Sequence, residues 1–290
     1  MDDADALARE YASLRERLDD PAVHRDWRRA RRLGRALEAL EPLRADAERL
    51  RALRDDARDA REFAGADAAW AVEAAALERE AAALEARFAR DLADRDPCDP
   101  CDVLLAVDGE EGAAEHVRAL ADLYRRRARA LGWRAEDLAC APPPHGALLA
   151  ITAGDTGPGA WARLKRDNGL HAVHLPAPPP TPRPDAEPDG GAVVRVTVRP
   201  EMRPCAPVRP DDLRIDLYCT RVPGAPTNLR ITHRPTGVSA RGLDPDHRRA
   251  RDHAMRVVLA ELWLREAGER HPSLRYLRHA DRPVARHHLV

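Results

Sequence analysis

The sequence predicts an α+β protein with an N-terminal antiparallel helical arm, a central α+β domain, and a small C-terminal domain made of a β-hairpin, or small sheet, plus a helix. Three observations carry this. Residues 1–93 repeat apolar side chains at helical spacing with almost no Gly or Pro, the apolar period falls to two near Val103, and turn residues cluster again near Pro200. The expected boundaries are 1–93 for the arm, 94–200 for the middle domain, 201–267 for the small domain and 268–290 for a tail.

In the arm, Leu7, Tyr11, Leu14 and Leu18 recur at spacings of three and four, as do Leu33, Leu37 and Leu40, and later Leu77, Leu84, Phe88 and Leu92. Asp20-Pro21 separates the first helix from the second, and Glu41-Pro42 marks a further start or kink, because proline lacks the donor an interior turn needs. A free coiled coil or dimerisation module fits the same periodicity. Val103 to Val107 reads as a buried strand, followed by an Asp108-Gly109 turn and a helix from about Ala113 to Leu131. Ala147 to Thr152 is a second strand, Trp161 to Arg166 a third candidate, and Ala192 to Arg199 alternates with Val194, Val196 and Val198 on one face. Pro176 to Pro188 holds seven prolines, the composition of a stiff polyproline-like linker. Leu213 to Tyr218 and Leu229 to His233 flank a turn-rich loop and form a hairpin. Pro235 to Gly237 is a second turn, Val238 to Ala240 a short strand, and a helix runs from about Asp246 to Ala267.

A length of 290 residues suits two or three domains, and 4% aromatics with 33% charged residues favour helices packed through Ala and Leu over a large sandwich. The formal net charge of −1 hides an asymmetry. From Arg195 to Val290 arginines exceed acids by eight, which leaves −9 on the first 194 residues. The basic half suits phosphate-rich RNA, and an ordinary solvated helix face accounts for it equally well. Five cysteines without a signal-peptide pattern point to a reducing compartment, and no run approaches the ~18 apolar residues of a membrane span. The expectation is a cytoplasmic protein with no membrane partner and no cofactor. Cys98-x-x-Cys101 has metal-ligand spacing but no second pair follows it, so a domain-boundary turn is the preferred reading and no metal site is expected.

The stretch Arg214-Ile215-Asp216 and, beyond the loop, Arg230-Ile-Thr-His-Arg-Pro-Thr-Gly237 resembles the catalytic domain of bacterial class-I peptide chain release factors. Leu123-Tyr124-Arg125, Gly132-Trp133, Arg163-Leu164-Lys165 with Gly169-Leu170-His171, and Ala254-Met255-Arg256 match the same family, closest to its UAA/UAG-reading branch. The resemblance implies the family's three-part fold and, as partners, the ribosome or tRNA, with a genuine release factor as competitor. It also brings departures. Where the family carries Gly-Gly-Gln, this chain has Pro223, Gly224, Ala225 and Pro226 in a shorter loop, and it contains no glutamine at all. Cys219, Thr220 and Thr227 have no histidine beside them in sequence to activate a nucleophile. At the family's codon-reading position Pro179, Pro180 and Thr181 satisfy Pro-x-Thr literally, inside the proline-rich 176–188 stretch and without the His-Thr-Ser that follows in the family. The reading is a divergent paralogue that acts in translation termination by binding RNA, has no enzymatic activity and leaves peptidyl-tRNA unhydrolysed. The alternative is a protein-interaction or regulatory module that kept the fold and left the ribosome. Candidate RNA contacts are Arg248, Arg249, Arg251 and Arg256 on the last helix, with Arg230 and Arg234 on the hairpin side.

Overall fold

The structure, a computed structural model, describes residues 2–65, 67–138, 146–175, 191–204, 206–218, 227–268, 271–279 and 282–288. The chain divides into two compact units. The first is Met1–Pro100 with Asp155–Gly157, and the second is Cys101–Gly154 with Pro158–Val290.

The first unit is helical: α1 (Asp2–Asp19), the single turn α2 (Pro21–His24), α3 (Trp27–Phe63) and α4 (Ala68–Asp94). Asp20 caps α2 by accepting from Ala22 N at 2.8 Å, with Pro21 at the first helical position where no donor is required. Glu41-Pro42 neither starts nor ends a helix, since Pro42 lies inside the 37 residues of α3. An interior proline costs about 3 kcal/mol, and here Leu40, Leu43 and Ala47 flank it in a core shared with Leu7 of α1 and Phe88 of α4. The burial of that stripe keeps the helix continuous through the missing donor. The helix α3 ends instead at Phe63, and Asp67 caps α4 by accepting from Ala69 N at 2.9 Å. Arg61–Glu78, Arg54–Glu85 at 2.7 Å and Arg87–Asp46 at 2.5 Å join α3 to α4 in antiparallel sense around Leu50, Leu53 and Ala81. These exposed pairs fix register more than they add stability.

The second unit holds two sheets. The larger is built from β1 (Val103–Gly109), β2 (Arg134–Asp137), β3 (Gly146–Thr152), β4 (Gly169–His174), β5 (Gly191–Pro200) and β9 (Pro283–His288), in the order β2-β3-β1-β5-β4-β9. All its neighbours are antiparallel except β4 and β9. Alternation places Val103, Leu105, Val107, Val194, Val196 and Val198 at 0% exposure, and α5 (Ala114–Ala130) lies against this sheet with Val117, Leu120, Ala121 and Tyr124 buried.

The sequence-level strand at Trp161–Arg166 is a helix, α6 (Ala160–Leu164), followed by a 3-10 turn over Lys165–Asp167. Its residues, Ala, Trp, Ala, Arg and Leu, include no β-branched side chain, and Trp161 is fully buried with its ring edge-on to Tyr276. Within the expected tail, 268–290, stand a 3-10 stretch, Pro272–His279, and the strand β9.

The smaller sheet, β6 (Leu213–Tyr218), β7 (Thr227–His233) and β8 (Ser239–Asp244), is antiparallel throughout in the order β6-β7-β8. The expected hairpin is present, with Ile215 opposite Ile231 and Leu217 opposite Leu229. The helix α7 (His247–Ala267) covers one face, burying Leu229, Ile231, Ala240, Ala250, Ala254, Val258 and Leu262 together. Gly242 permits the crossing. A Cβ built there would stand 1.9 Å from the Ala250 carbonyl oxygen, so no larger residue fits without moving the helix. Val257 and Ala260 of α7 also pack on Leu104 and Ala150 of the larger sheet.

Candidate nucleic-acid interface

The hairpin fixes one end of the candidate site. Its last pair is Tyr218 opposite Asn228, and the release-loop position with Pro223, Gly224, Ala225 and Pro226 lies outside the described residues, as do Pro179, Pro180 and Thr181. At the far end of β7, Gly237 takes φ +71 in the Pro235–Gly237 turn and returns its N–H to His233 O at 2.8 Å. Arg234 in this turn is exposed.

The start of α7 carries the densest charge. Asp246 caps it by accepting from Arg248 N at 2.7 Å, and Arg248, Arg249 and Arg251 all stand exposed in the first turns. Arg249 reaches Asp244 only at 3.8 Å, with 61% of its side chain exposed. A helix N-terminus is already electropositive, so cations there are disfavoured in the protein alone and become favourable once an anion sits against them.

Arg256, two turns on, differs from the sequence expectation. It is 4% exposed, so it is not an exposed contact for RNA. Its Nε and Nη2 donate to the two Glu201 carboxylate oxygens at 2.7 and 2.8 Å, and its Nη1 donates to Glu136 Oε2 at 3.0 Å. His253 approaches the other Glu136 oxygen at 3.4 Å. Burial works against the Glu136 charge, but Arg256 and His253 outweigh it and hold its carboxyl below its usual value. Arg256 is thus an internal brace between α7 and the larger sheet. Sequence reasoning missed both carboxylates, since Glu136 sits in the unpredicted β2 and Glu201 in the link after β5, with only the Ala254-Met255-Arg256 match to point at their partner.

Arg230 is half-buried on the sheet face away from α7 and donates to Ser239 Oγ at 2.9 Å. Directly across from it on β8 stands Arg241, which sequence reasoning did not single out. The alternation of Ser239 and Arg241 with Ala240 and Gly242 was the available signal.

Cys98 and Cys101 are buried and not joined in a disulfide, with Cys101 Sγ 3.3 Å from Met202 Sδ, and no group of three or more His, Cys, Asp or Glu side chains among the described residues is placed to hold a metal. No helix among them is long and apolar enough to cross a membrane.

A helical unit and an α+β unit in one chain, the latter exposing Arg248, Arg249 and Arg251 at the start of α7, define a class: a two-unit α+β protein. Comparison with known proteins narrows it. The family profile described as PCRF domain matches residues 7–177. Peptide chain release factor 1 of Acidothermus cellulolyticus is 37% identical over 248 residues, covering 80% of this chain and 66% of that protein. Peptide chain release factor 1 of Mycobacterium tuberculosis is 36% identical over 248 residues, covering 81% of this chain and 69% of that protein. Among solved structures, RF2 of Thermus thermophilus aligns with a TM-score of 0.49 at 20% identity, covering 98% of this chain and 85% of that one. The chain belongs to the peptide chain release factor family and spans about two thirds of the length of the curated relatives it matches.

Proposed function

We propose that this chain acts in translation termination as a cytoplasmic RNA-binding member of its family that engages the ribosome or tRNA without hydrolysing peptidyl-tRNA, and so competes with a genuine release factor. The observation that carries this reading is the content of the loop between Tyr218 and Thr227, which holds Pro-Gly-Ala-Pro in a chain that contains no glutamine. Ester hydrolysis needs donors aimed at the developing oxyanion, and losing one such donor costs about 10²–10³ in rate. Two glycines allow close backbone approach, whereas Pro223 and Pro226 fix φ and remove two N–H groups.

The exposed arginines of α7 support RNA binding. Arg248, Arg249 and Arg251 add three exposed charges to an electropositive helix end, with Arg234 and Arg230 as further contacts on the hairpin side. Binding through such groups releases counterions and weakens steeply with salt.

The experiment pairs two measurements. Co-sedimentation with ribosomes at about 50 and 200 mM salt is expected to show binding that collapses at the higher concentration. Release of formyl-methionine from a programmed ribosome is expected to be undetectable, while release by a genuine factor is inhibited. Codon-dependent release at the genuine factor's rate would refute the non-hydrolytic reading. Absence of ribosome binding would put the protein-interaction alternative ahead.

A further inference from the structure

The second unit contains a cavity of about 450 Å³ between the large sheet, α7 and the β8 edge of the small sheet, within the ~300–1,000 Å³ range of small-molecule sites. Of its lining, the release-factor reading uses Arg230 alone. Its chemistry differs from side to side. Leu104 and Ala106 of β1, Leu148 of β3 and Val257 of α7 form an aliphatic wall. On the large-sheet side Asp108 faces in, and Arg199 is ion-paired with Glu261 of α7. Burial pushes the Asp108 carboxyl up against the pull of Arg199 and Arg195, so a donor placed beside it is welcome.

On the small-sheet side Arg230 and Arg241 line the cavity and stand directly opposite one another across β7 and β8. Like charges so placed weaken a sheet. The contacts that Arg230 and Arg241 make are the Ser239 hydroxyl and the Tyr218 ring face respectively, and neither has an ion-pair partner among the described residues. Asp216, the other cross-strand neighbour of Arg230, is bound to Arg214 at 2.9 Å. Two uncompensated guanidiniums, a hydroxyl, an aliphatic wall and carboxyls on the opposing elements describe a receptor with three chemistries. Inorganic phosphate uses one of them and an uncharged nucleoside the other two.

We propose that this cavity binds a small phosphomonoester with an apolar or aromatic body, of the nucleoside monophosphate class, with its phosphate on Arg230 and Arg241 and its hydroxyl or amino donors toward Asp108 and Glu261. The phosphate group suits guanidiniums that offer paired N–H donors. A volume of about 450 Å³ matches a single nucleotide better than a polynucleotide.

The test uses the full chain alone, without ribosomes, so its outcome is separate from that of the ribosome experiment. Isothermal titration and thermal shift are run with AMP and UMP, with inorganic phosphate, with adenosine, and with a 5′-phosphorylated hexanucleotide as competitor. A mononucleotide is expected to bind saturably and raise the melting temperature at about 1 mM ligand, with phosphate and adenosine at least about tenfold weaker. Arg241→Ala and Arg230→Ala should each weaken mononucleotide binding by about tenfold or more, while Arg118→Ala, at an exposed arginine of α5 outside the cavity, leaves it unchanged. Val257→Trp fills the cavity and should abolish binding, with unaltered circular dichroism as the control for folding, and Arg241→Lys should retain part of it. Four results would overturn the site: no mononucleotide binding at about 5 mM, inorganic phosphate binding as well as AMP, full affinity in folded Arg241→Ala, or equal competition by the hexanucleotide.

Discussion

The start and the middle of one helix put the same residue type to opposite uses. In the first turns of α7, Arg248, Arg249 and Arg251 point into solvent around a capped N-terminus, whereas Arg256, in the middle, is 4% exposed and held by Glu201 and Glu136. Periodicity alone separates them in part, because Arg256 shares the helical face of Ala260 and Trp263, three to four residues apart and both buried. The lesson concerns charge counts. A basic segment is a measure of possible partners, and only burial decides which arginines face outward.

The largest expected effect breaks the buried middle. Arg256→Ala leaves Glu201 and Glu136 without their shared cation in a site only partly open to water, and removing one partner of a buried pair costs about 3–5 kcal/mol. Chemical denaturation should therefore show a much lower midpoint, with the loss shared between helix and sheet signals since α7 braces both sheets. If the midpoint stays within about 0.5 kcal/mol of the parent, the brace reading is wrong and Arg256 returns to the list of candidate RNA contacts. Arg256→Lys should recover little, because an ammonium cannot reproduce the bidentate fork on Glu201.

A second, smaller effect tests the exposed end. The triple change of Arg248, Arg249 and Arg251 to Ala should leave stability within about 0.5 kcal/mol per site, and could raise it slightly by relieving cations at a helix N-terminus. Ribosome or tRNA binding should weaken, and its salt slope should flatten by roughly two to three, in proportion to the counterions no longer released. An unchanged slope in a well-folded triple variant would move the RNA contacts away from α7.

The same contrast explains which parts of the molecule were legible in the sequence. Strands β6 and β7 stood out because alternation and turn residues are local signals, and their antiparallel pairing follows from the short connection. The arm was legible through its leucine repeats, although Pro42, expected to mark a start or kink, starts no helix, since the local rule about a lost donor was outweighed by the Leu40 and Leu43 packing. Strand β9 was invisible for the opposite reason. Its Pro-Val-Ala-Arg-His-His has no clear apolar face, and it becomes a strand only by parallel pairing with β4, more than a hundred residues earlier. Arg256 belongs with β9. Its two carboxylates are over 50 residues away in sequence, so nothing beside it in the chain announced its burial.

The smallest effect concerns pH and sharpens the contrast at the buried middle alone. Arg256 and His253 hold the Glu136 carboxyl below its ordinary value despite its partial burial. An acid whose folded-state value is depressed binds more protons when unfolded, so its contribution to stability is fully present above the unfolded value of about 4.3 and fades as pH falls through the folded one. Denaturation midpoints taken from pH 6 down toward pH 3 should therefore fall, with part of the fall assignable to this carboxyl. Glu136→Gln is the comparison. It keeps one acceptor for Arg256, is less stable than the parent near neutrality, and should show a shallower acid slope, while the triple variant at the helix start should follow the parent slope. If Glu136→Gln and the parent lose stability in parallel below pH 5, the acid response belongs to other carboxylates, and the brace depends on the Glu201 fork without a measurable share from Glu136.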